Sequence, residues 1–244
     1  MLYIIGLGLN KEGITREGLS SIEKCVKIYL EGYTVDFPYA ISELEESLGK
    51  KIEKLARGDV ESDKLVKEAK KENIALLVYG SPLFATTHTS LIMDAKKAGI
   101  ETSIIYSTSV FDAIAETGLQ LYKFGKITSM PCWKKNFTPD SFLDIVKENL
   151  SIKAHSLILT DIGLNLKDSL SQLEISGKNK KMKFEKIIVC SQMGTEDRKI
   201  FYDTLDNLKK KDVKMPFCLI LPSEMHFLEK EALLSVCEQV HEIK

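Results

Sequence analysis

Short apolar runs alternate with amphipathic segments along the first half of the chain. The run 74–78 is apolar throughout and is bounded by Asn73 and Gly80, which is typical of a buried strand. Residues 89–99 then place apolar side chains at helical spacing and end on a glycine, which predicts a helix. Similar patterns predict further strands over 2–7, 26–30, 52–55 and 102–106, and helices over 15–24, 40–48, 61–71 and 110–117.

The second half of the chain mixes strands and helices in a less regular order. Apolar runs predict strands over 127–130, 156–160, 187–191 and 217–221, and amphipathic segments predict helices over 139–149, 195–209 and 228–240. Residues 176–186 are basic and contain a glycine, which is typical of a solvated loop. We therefore predict an α/β protein of two domains, residues 1–112 with a mainly parallel sheet and residues 113–244 with a mixed sheet.

The loop over 79–88 is the strongest candidate for a ligand site, because ligands of open α/β sheets bind at the carboxyl ends of strands. Gly80 allows a ligand to approach the backbone closely, and Pro82 stiffens the turn. Thr87 and His88 lead into the N-terminus of the predicted helix, where partial positive charge collects. For His88 the sequence leaves two roles open, contact with a substrate and support of the turn.

The beginning of the chain only partly matches a dinucleotide-binding turn. Gly6 and Gly8 follow the first predicted strand, but Lys11 stands where that motif has its third glycine. Such a partial match does not predict a dinucleotide site.

Composition excludes several classes of protein. The 244 residues include 34 basic and 35 acidic ones, a balance that gives no sign of nucleic-acid or membrane-surface binding. The chain has no apolar run of the roughly 20 residues needed to cross a membrane, and its start does not resemble a signal peptide. Five scattered cysteines without a C-x-x-C pair predict reduced thiols. These features predict a cytoplasmic protein.

The histidines and cysteines do not form a metal-binding pattern. His155, His226 and His241 lie in separate predicted elements, and none has a partner four residues away. The sequence therefore predicts no metal site.

Three segments together resemble the diphthine synthases, namely residues 2–9, 85–88 and 118–125. Their order and spacing fit that family from end to end, as do Asp161 and His226 further along. The diphthine synthases are S-adenosylmethionine-dependent methyltransferases with the tetrapyrrole methylase fold.

This resemblance implies a homodimer of two-domain subunits that bind the cofactor in the cleft between the domains. It implies methyl transfer to the amino nitrogen of a modified histidine on translation elongation factor 2, a step of diphthamide biosynthesis, with S-adenosylhomocysteine as product. Eukaryotic members also methylate the carboxylate. The family's cofactor contacts fall on Leu9, Ser81, Phe84, Ser109, Val110, Thr160, Met193 and Phe217.

Two of these positions depart from the family pattern. The relatives commonly have aspartate at the position of Ser81 and histidine at the position of Phe217. Serine retains a neutral hydrogen bond, which is about half as strong as a charge-assisted one.

Methyl transfer from a sulfonium is an in-line displacement for which positioning supplies much of the rate. Thr87 and His88 are the candidates closest to the chemistry, and Thr86 and residues 122–124 are candidates for shaping the entrance. Two alternatives stay open, a methyltransferase of the same fold that acts on a small molecule such as a tetrapyrrole, and a non-catalytic relative that binds elongation factor or cofactor.

Overall fold

The computed structural model describes residues 1–237, which form two compact units that meet in sequence between Asp112 and Ala113. The strands of the first unit are β1 (Leu2–Gly6), β2 (Lys27–Glu31), β3 (Glu53–Leu55), β4 (Ile74–Val78) and β5 (Thr102–Ile105). Its helices are α1 (Arg16–Glu23), α2 (Ile41–Leu48), α3 (Arg57–Val60), α4 (Lys64–Ala69) and α5 (His88–Lys97). The short helix α6 (Val110–Ala113) continues into a 3-10 turn over Ile114–Thr117.

The first unit contains one parallel sheet with the strand order β3-β2-β4-β1-β5. Successive side chains of a strand point to opposite faces, so Ile4 packs with α4 and α5 while Ile5 packs with α1 and α2. Burial on both faces explains why β1 and β4 are almost entirely apolar. The middle strand is β4, and the loop that follows it therefore lies at the centre of the carboxyl edge.

The second unit contains a mixed sheet. Its strands are β6 (Thr128–Met130), β7 (Ser156–Thr160), β8 (Ile187–Ser191), β9 (Lys199–Asp203) and β10 (Phe217–Leu221), and its helices are α7 (Phe142–Ser151), α8 (Leu166–Lys180), α9 (Leu205–Leu208) and α10 (Phe227–Val236). The strand order is β6-β7-β10-β8-β9, in which only the β6–β7 pair is parallel. This arrangement confirms the predicted α/β fold. The end of the predicted helix 228–240 and His241 lie outside the described residues.

The predicted loop over 176–186 is wrong in its first part, because residues 176–180 form the last turns of α8. The apolar spacing that predicts this helix is present in Leu166, Leu170 and Leu173, all of which are buried. Gly177 is required by packing, since a Cβ there would lie 2.7 Å from the ring of Phe184. Gly177 is therefore present because of tertiary packing, although in the sequence it is typical of a loop.

The predicted helix over 195–209 is also wrong. Residues 199–203 form the edge strand β9, paired antiparallel with β8, and only the short helix α9 follows. The aromatic and β-branched residues of β9 favour a strand, and Ile200 and Phe201 are buried. Five residues are too few for the periodicity to distinguish strand from helix.

A buried carboxylate ties the 118–125 segment to α10. Glu229 is 1% exposed, and its oxygens accept hydrogen bonds from the backbone N–H groups of Gln120 (3.0 Å) and His226 (2.7 Å). Lys123 Nζ lies 2.5 Å from one oxygen, and His155 Nε2 lies 3.2 Å from the other. The carboxylate is thus fully occupied, as a buried charge must be.

The same network fixes the protonation of His155. Its Nδ1 accepts a hydrogen bond from the backbone N–H of Ser223 (2.9 Å), so the ring proton lies on Nε2 and is donated to Glu229. Burial lowers the pKa of His155, which keeps the ring neutral.

We expect Glu229→Gln to reduce the free energy of unfolding by about 3 kcal/mol at pH 7, because it leaves the charge of Lys123 without its partner. Burial alone raises the pKa of Glu229, but the hydrogen bonds from Lys123, Gln120, His226 and His155 lower it to about 2. The stabilisation is therefore complete above the ordinary value of 4.5 and is lost as the pH falls toward 2.

Urea denaturation of the native chain and of Glu229→Gln, each at pH 7 and at pH 3, measures this effect. The difference in free energy of unfolding between the two proteins must be smaller at pH 3 than at pH 7. The control is Glu224→Gln, which removes an exposed ion pair with Lys153 and is expected to cost less than about 1 kcal/mol. Equal losses from the two variants would contradict the prediction.

Candidate functional site

A backbone bridge between two glycines organises the carboxyl edge of the first sheet. Gly8 N donates to Gly80 O (3.1 Å), and Gly80 N donates to Gly8 O (2.9 Å). Both residues have positive φ, 70° and 73°, which glycine adopts without strain. A Cβ on Gly8 would also lie 2.8 Å from the carbonyl oxygen of Gly13. Because the bridge is antiparallel, Leu9 lies beside Tyr79, whose hydroxyl donates to the Leu9 carbonyl (3.0 Å), and Ser81 starts the turn after Gly80.

The turn after Gly80 presents one polar and one aromatic side chain. Ser81 is half-buried, and within residues 1–237 its hydroxyl has no hydrogen-bond partner. Its carbonyl accepts from Phe84 N (3.2 Å), which closes the turn, and the Phe84 ring stacks on Phe111 with centroids 6.2 Å apart. A free hydroxyl in the same turn as the half-buried Phe84 ring suits a ligand that has both polar and apolar parts.

The loop between β5 and α6 lies next to this turn. A Cβ built on Gly80 would be 3.8 Å from Ser109 Cα, which is ordinary van der Waals contact. Ser109 lies immediately before α6, and both its N–H (2.6 Å) and its hydroxyl (2.8 Å) donate to Asp112 Oδ2. The structure therefore brings five predicted residues to one edge of the first sheet, namely Leu9, Ser81, Phe84, Ser109 and Val110.

The other three predicted residues meet at one edge of the second sheet. Because β10 runs antiparallel to β7 and β8, its first residue lies beside their carboxyl ends. Thr160 ends β7 and donates from its hydroxyl to the carbonyl of Phe217 (2.7 Å), the first residue of β10. Met193, 4% exposed, follows β8.

Two side chains of the Thr-Thr-His motif at 86–88 contact the backbone of the turn that follows Gly80. The Thr86 hydroxyl donates to the carbonyl of Pro82 (2.9 Å), and His88 Nδ1 lies 2.9 Å from the same oxygen. The side chain of Thr87 is exposed, whereas His88 is 2% exposed. Of the two roles that the sequence left open for His88, the geometry favours support of the turn.

Sequence reasoning missed the partner of His88. Glu31, the last residue of β2, is 1% exposed, and its Oε2 lies 3.1 Å from His88 Nε2. Burial alone lowers the pKa of His88, but Glu31 and the Pro82 carbonyl outweigh it, so the pKa is raised above 6.5. The available signal was a charged residue directly after the apolar residues 28–30 of β2.

The 122–124 segment separates into one exposed and two engaged side chains. Tyr122 is 82% exposed, while Lys123 pairs with Glu229 and the Phe124 ring packs edge-on against His155 with centroids 5.4 Å apart. Only Tyr122 of these three is free to meet a partner from solution.

Among residues 1–237, no three His, Cys, Asp or Glu side chains converge as metal ligands would. In the same part of the chain, none of the helices is both long and apolar enough to span a bilayer.

Comparison with known proteins gives one consistent result. The model for tetrapyrrole (corrin/porphyrin) methylases matches residues 1–209. The diphthine synthase of Methanocaldococcus jannaschii is 37% identical, with 98% of this chain and 100% of the relative covered. The diphthine methyl ester synthase of Schizosaccharomyces pombe is 34% identical, with 96% and 93% covered.

A solved structure agrees with these relatives. A crystal structure of an Entamoeba histolytica protein described as a diphthine synthase superposes with a TM-score of 0.89 at 31% identity, covering 98% of this chain and 99% of that one. The chain therefore belongs to the diphthine synthases, within the tetrapyrrole methylase family, and is a methyltransferase.

Proposed function

We propose that this chain transfers methyl groups from S-adenosylmethionine to the amino nitrogen of the modified histidine on translation elongation factor 2, a step of diphthamide biosynthesis. The observation that carries the proposal is the 37% identity to a diphthine synthase over 98% of the chain. Two of the three segments with the family motifs, 2–9 and 85–88, also lie at the carboxyl edge of the first sheet, where ligands of such sheets bind.

The proposed cofactor contacts are the residues gathered at the two sheet edges. In the first unit, half-buried Phe84 offers apolar surface to the adenosine, and the free hydroxyl of Ser81 offers a hydrogen bond to a polar group of the ligand. Leu9 follows Gly8, and Ser109 and Val110 contribute the backbone at the start of α6. Thr160, Met193 and Phe217, at one edge of the second sheet, are the further contacts that the family resemblance implies.

The cofactor supplies a methyl group on a positively charged sulfur, which is already a good leaving group. The chain's own task is to hold the acceptor amine, in its neutral form, about 3–3.5 Å from that carbon and in line with the breaking bond. The hydrogen-bonded turn at 80–84 is suited to such positioning, since both the Thr86 hydroxyl and the His88 ring hold its Pro82 carbonyl.

Exposed side chains near these loops are proposed to receive the protein substrate. Thr87 and Tyr122 have the exposure that contact with a loop of elongation factor 2 requires. We further propose that the protein acts in the cytoplasm, where its substrate functions, and that it forms the homodimer that the family resemblance implies.

A non-catalytic relative is the second candidate, because Ser81 and Phe217 replace the aspartate and histidine of the family pattern. The decisive experiment is mass spectrometry of elongation factor 2 that carries the unmethylated amino-carboxypropyl histidine, after incubation with this protein and S-adenosylmethionine. A gain of one or more methyl groups on that residue supports the proposal. No gain, with S-adenosylhomocysteine binding measured separately, supports the binding protein instead.

We expect Ser81→Asp to bind S-adenosylmethionine roughly fivefold more tightly. The reason is that a charged acceptor strengthens a hydrogen bond to the cationic ligand by about 1 kcal/mol relative to a neutral one. Isothermal titration calorimetry measures the change, and Ser20→Asp on the exposed face of α1 controls for the added charge. An affinity that is unchanged or weaker in Ser81→Asp would place Ser81 away from the cofactor's charged groups.

We expect Thr87→Val to lower kcat/KM for elongation factor 2 about tenfold while stability and cofactor affinity stay unchanged. Its side chain is exposed and makes no hydrogen bond within residues 1–237, so the fold does not depend on it. The matched control is Thr102→Val at the amino end of β5, on the opposite edge of the sheet. An unchanged rate in Thr87→Val would remove this residue from the site.

A further inference from the structure

One continuous set of contacts links the end of β2 to the proposed cofactor turn. Glu31 Oε2 lies 3.1 Å from His88 Nε2, and His88 Nδ1 lies 2.9 Å from the carbonyl oxygen of Pro82. The side chains of Glu31 and His88 are 0% and 1% exposed, so water does not compete for these contacts. Ser81 and Phe84 lie on either side of Pro82 in the same turn.

The partners of the ring determine its protonation. A carbonyl oxygen only accepts hydrogen bonds, so Nδ1 must carry a proton. The other nitrogen, Nε2, faces a carboxylate, which also accepts. With Glu31 ionised, a neutral ring would direct a bare lone pair at one of these oxygens, so the imidazolium is the form that suits both partners.

The neighbouring ionisable groups leave Glu31 as the charge that faces the imidazole. Tyr33, two residues beyond Glu31, has a buried hydroxyl without a partner within residues 1–237. Burial and then the charge of Glu31 raise the pKa of Tyr33 to about 12, so this phenol is neutral near pH 7. Arg57, from α3, lies over the Tyr33 ring at 5.4 Å from its centroid and pairs with Glu61 on its other side.

We propose that Glu31 is a positioning residue for the methyl-transfer site, which keeps His88 doubly protonated and thereby fixes the Pro82 carbonyl and the turn that carries Ser81 and Phe84. This inference rests on the proposed function only in taking Ser81 and Phe84 as cofactor contacts. Both carboxylate oxygens of Glu31 are buried and neither makes a hydrogen bond within residues 1–237, so its contact with His88 at 3.1 Å is an ion pair. Glu31 therefore has a large electrostatic cost that the pairing with His88 must offset.

A dependence on pH follows from this arrangement. The pKa of His88 is raised in the folded chain, so the stabilisation is fully present below the ordinary value of 6.5 and is lost as the pH rises through the raised value. Above that pH Nδ1–H can still donate to Pro82, but the bare Nε2 faces the carboxylate, and the repulsion between them displaces the ring that holds the turn. Cofactor affinity is then lower at high pH.

Two substitutions separate charge from hydrogen bonding at this position. In Glu31→Gln the amide nitrogen can donate to a bare Nε2 while Nδ1–H still donates to Pro82, so affinity at pH 7 stays within about twofold and its pH dependence disappears. In Glu31→Leu no partner remains, and we expect binding of S-adenosylhomocysteine to weaken about tenfold. Glu68→Leu is the control, since Glu68 pairs with Lys27 at the amino end of the same strand.

Three measurements test the proposal. Nitrogen NMR of the His88 ring reports its protonation without any cofactor, and calorimetry with S-adenosylhomocysteine from pH 6 to pH 10 reports affinity. We expect an imidazolium at pH 7 in the native chain and in Glu68→Leu, and a neutral ring in Glu31→Gln. Hydrogen exchange at the backbone N–H groups of the turn 80–84 should be faster in Glu31→Leu than in the control.

A neutral His88 in the native chain at pH 7 would overturn the proposal, as would native affinity and native exchange in a folded Glu31→Leu. If Glu31→Leu does not fold, the pH profile of Glu31→Gln decides, and a profile like that of the native chain would count against the proposal. Absence of cofactor binding in the native chain would contradict the proposed function instead, while the ring spectrum and amide exchange would still test the role of Glu31.

Discussion

The antiparallel bridge between Gly8 and Gly80 is the constraint on which the first unit's site depends. Parallel strands end side by side, but their loops separate unless something holds them together. Two backbone hydrogen bonds between these glycines do so, and both residues need positive φ. The bridge is antiparallel, so Leu9 lies beside Tyr79, whose hydroxyl donates to the Leu9 carbonyl (3.0 Å), while Ser81 starts the turn that follows Gly80. A side chain at Gly8 would displace Gly13 and open the edge.

Two buried histidine–glutamate pairs show that the partner of the second ring nitrogen determines whether the histidine is charged. His88 meets Glu31 with one nitrogen and a carbonyl with the other, which favours the imidazolium and raises its pKa. His155 meets Glu229 in the same way, but its other nitrogen accepts an N–H, which requires the neutral ring. Identical residue pairs therefore carry different charges, because a histidine ring responds to both of its nitrogens.

Both pairs attach a family motif to a distant element. The 118–125 segment is held to α10 through Glu229, and the 80–88 loop is held to β2 through His88. The residues that remain exposed in these motifs, Thr87 and Tyr122, have no such structural task within residues 1–237. A reaction that depends on positioning suits this division, in which buried side chains shape the loops and exposed ones are available to the substrate.

The sequence by itself determined the strands whose residues are apolar throughout, such as β4 and β10, because burial on both faces leaves a continuous signal. It also located the loop at 79–88 and indicated the family through its motifs. Tertiary structure decided the rest. Packing against Phe184 explains the glycine in α8, and pairing with β8 makes residues 199–203 a strand. The partnership of Glu31 with His88 joins residues far apart in sequence, and local patterns cannot show a contact that only the packing of β2 against the start of α5 creates.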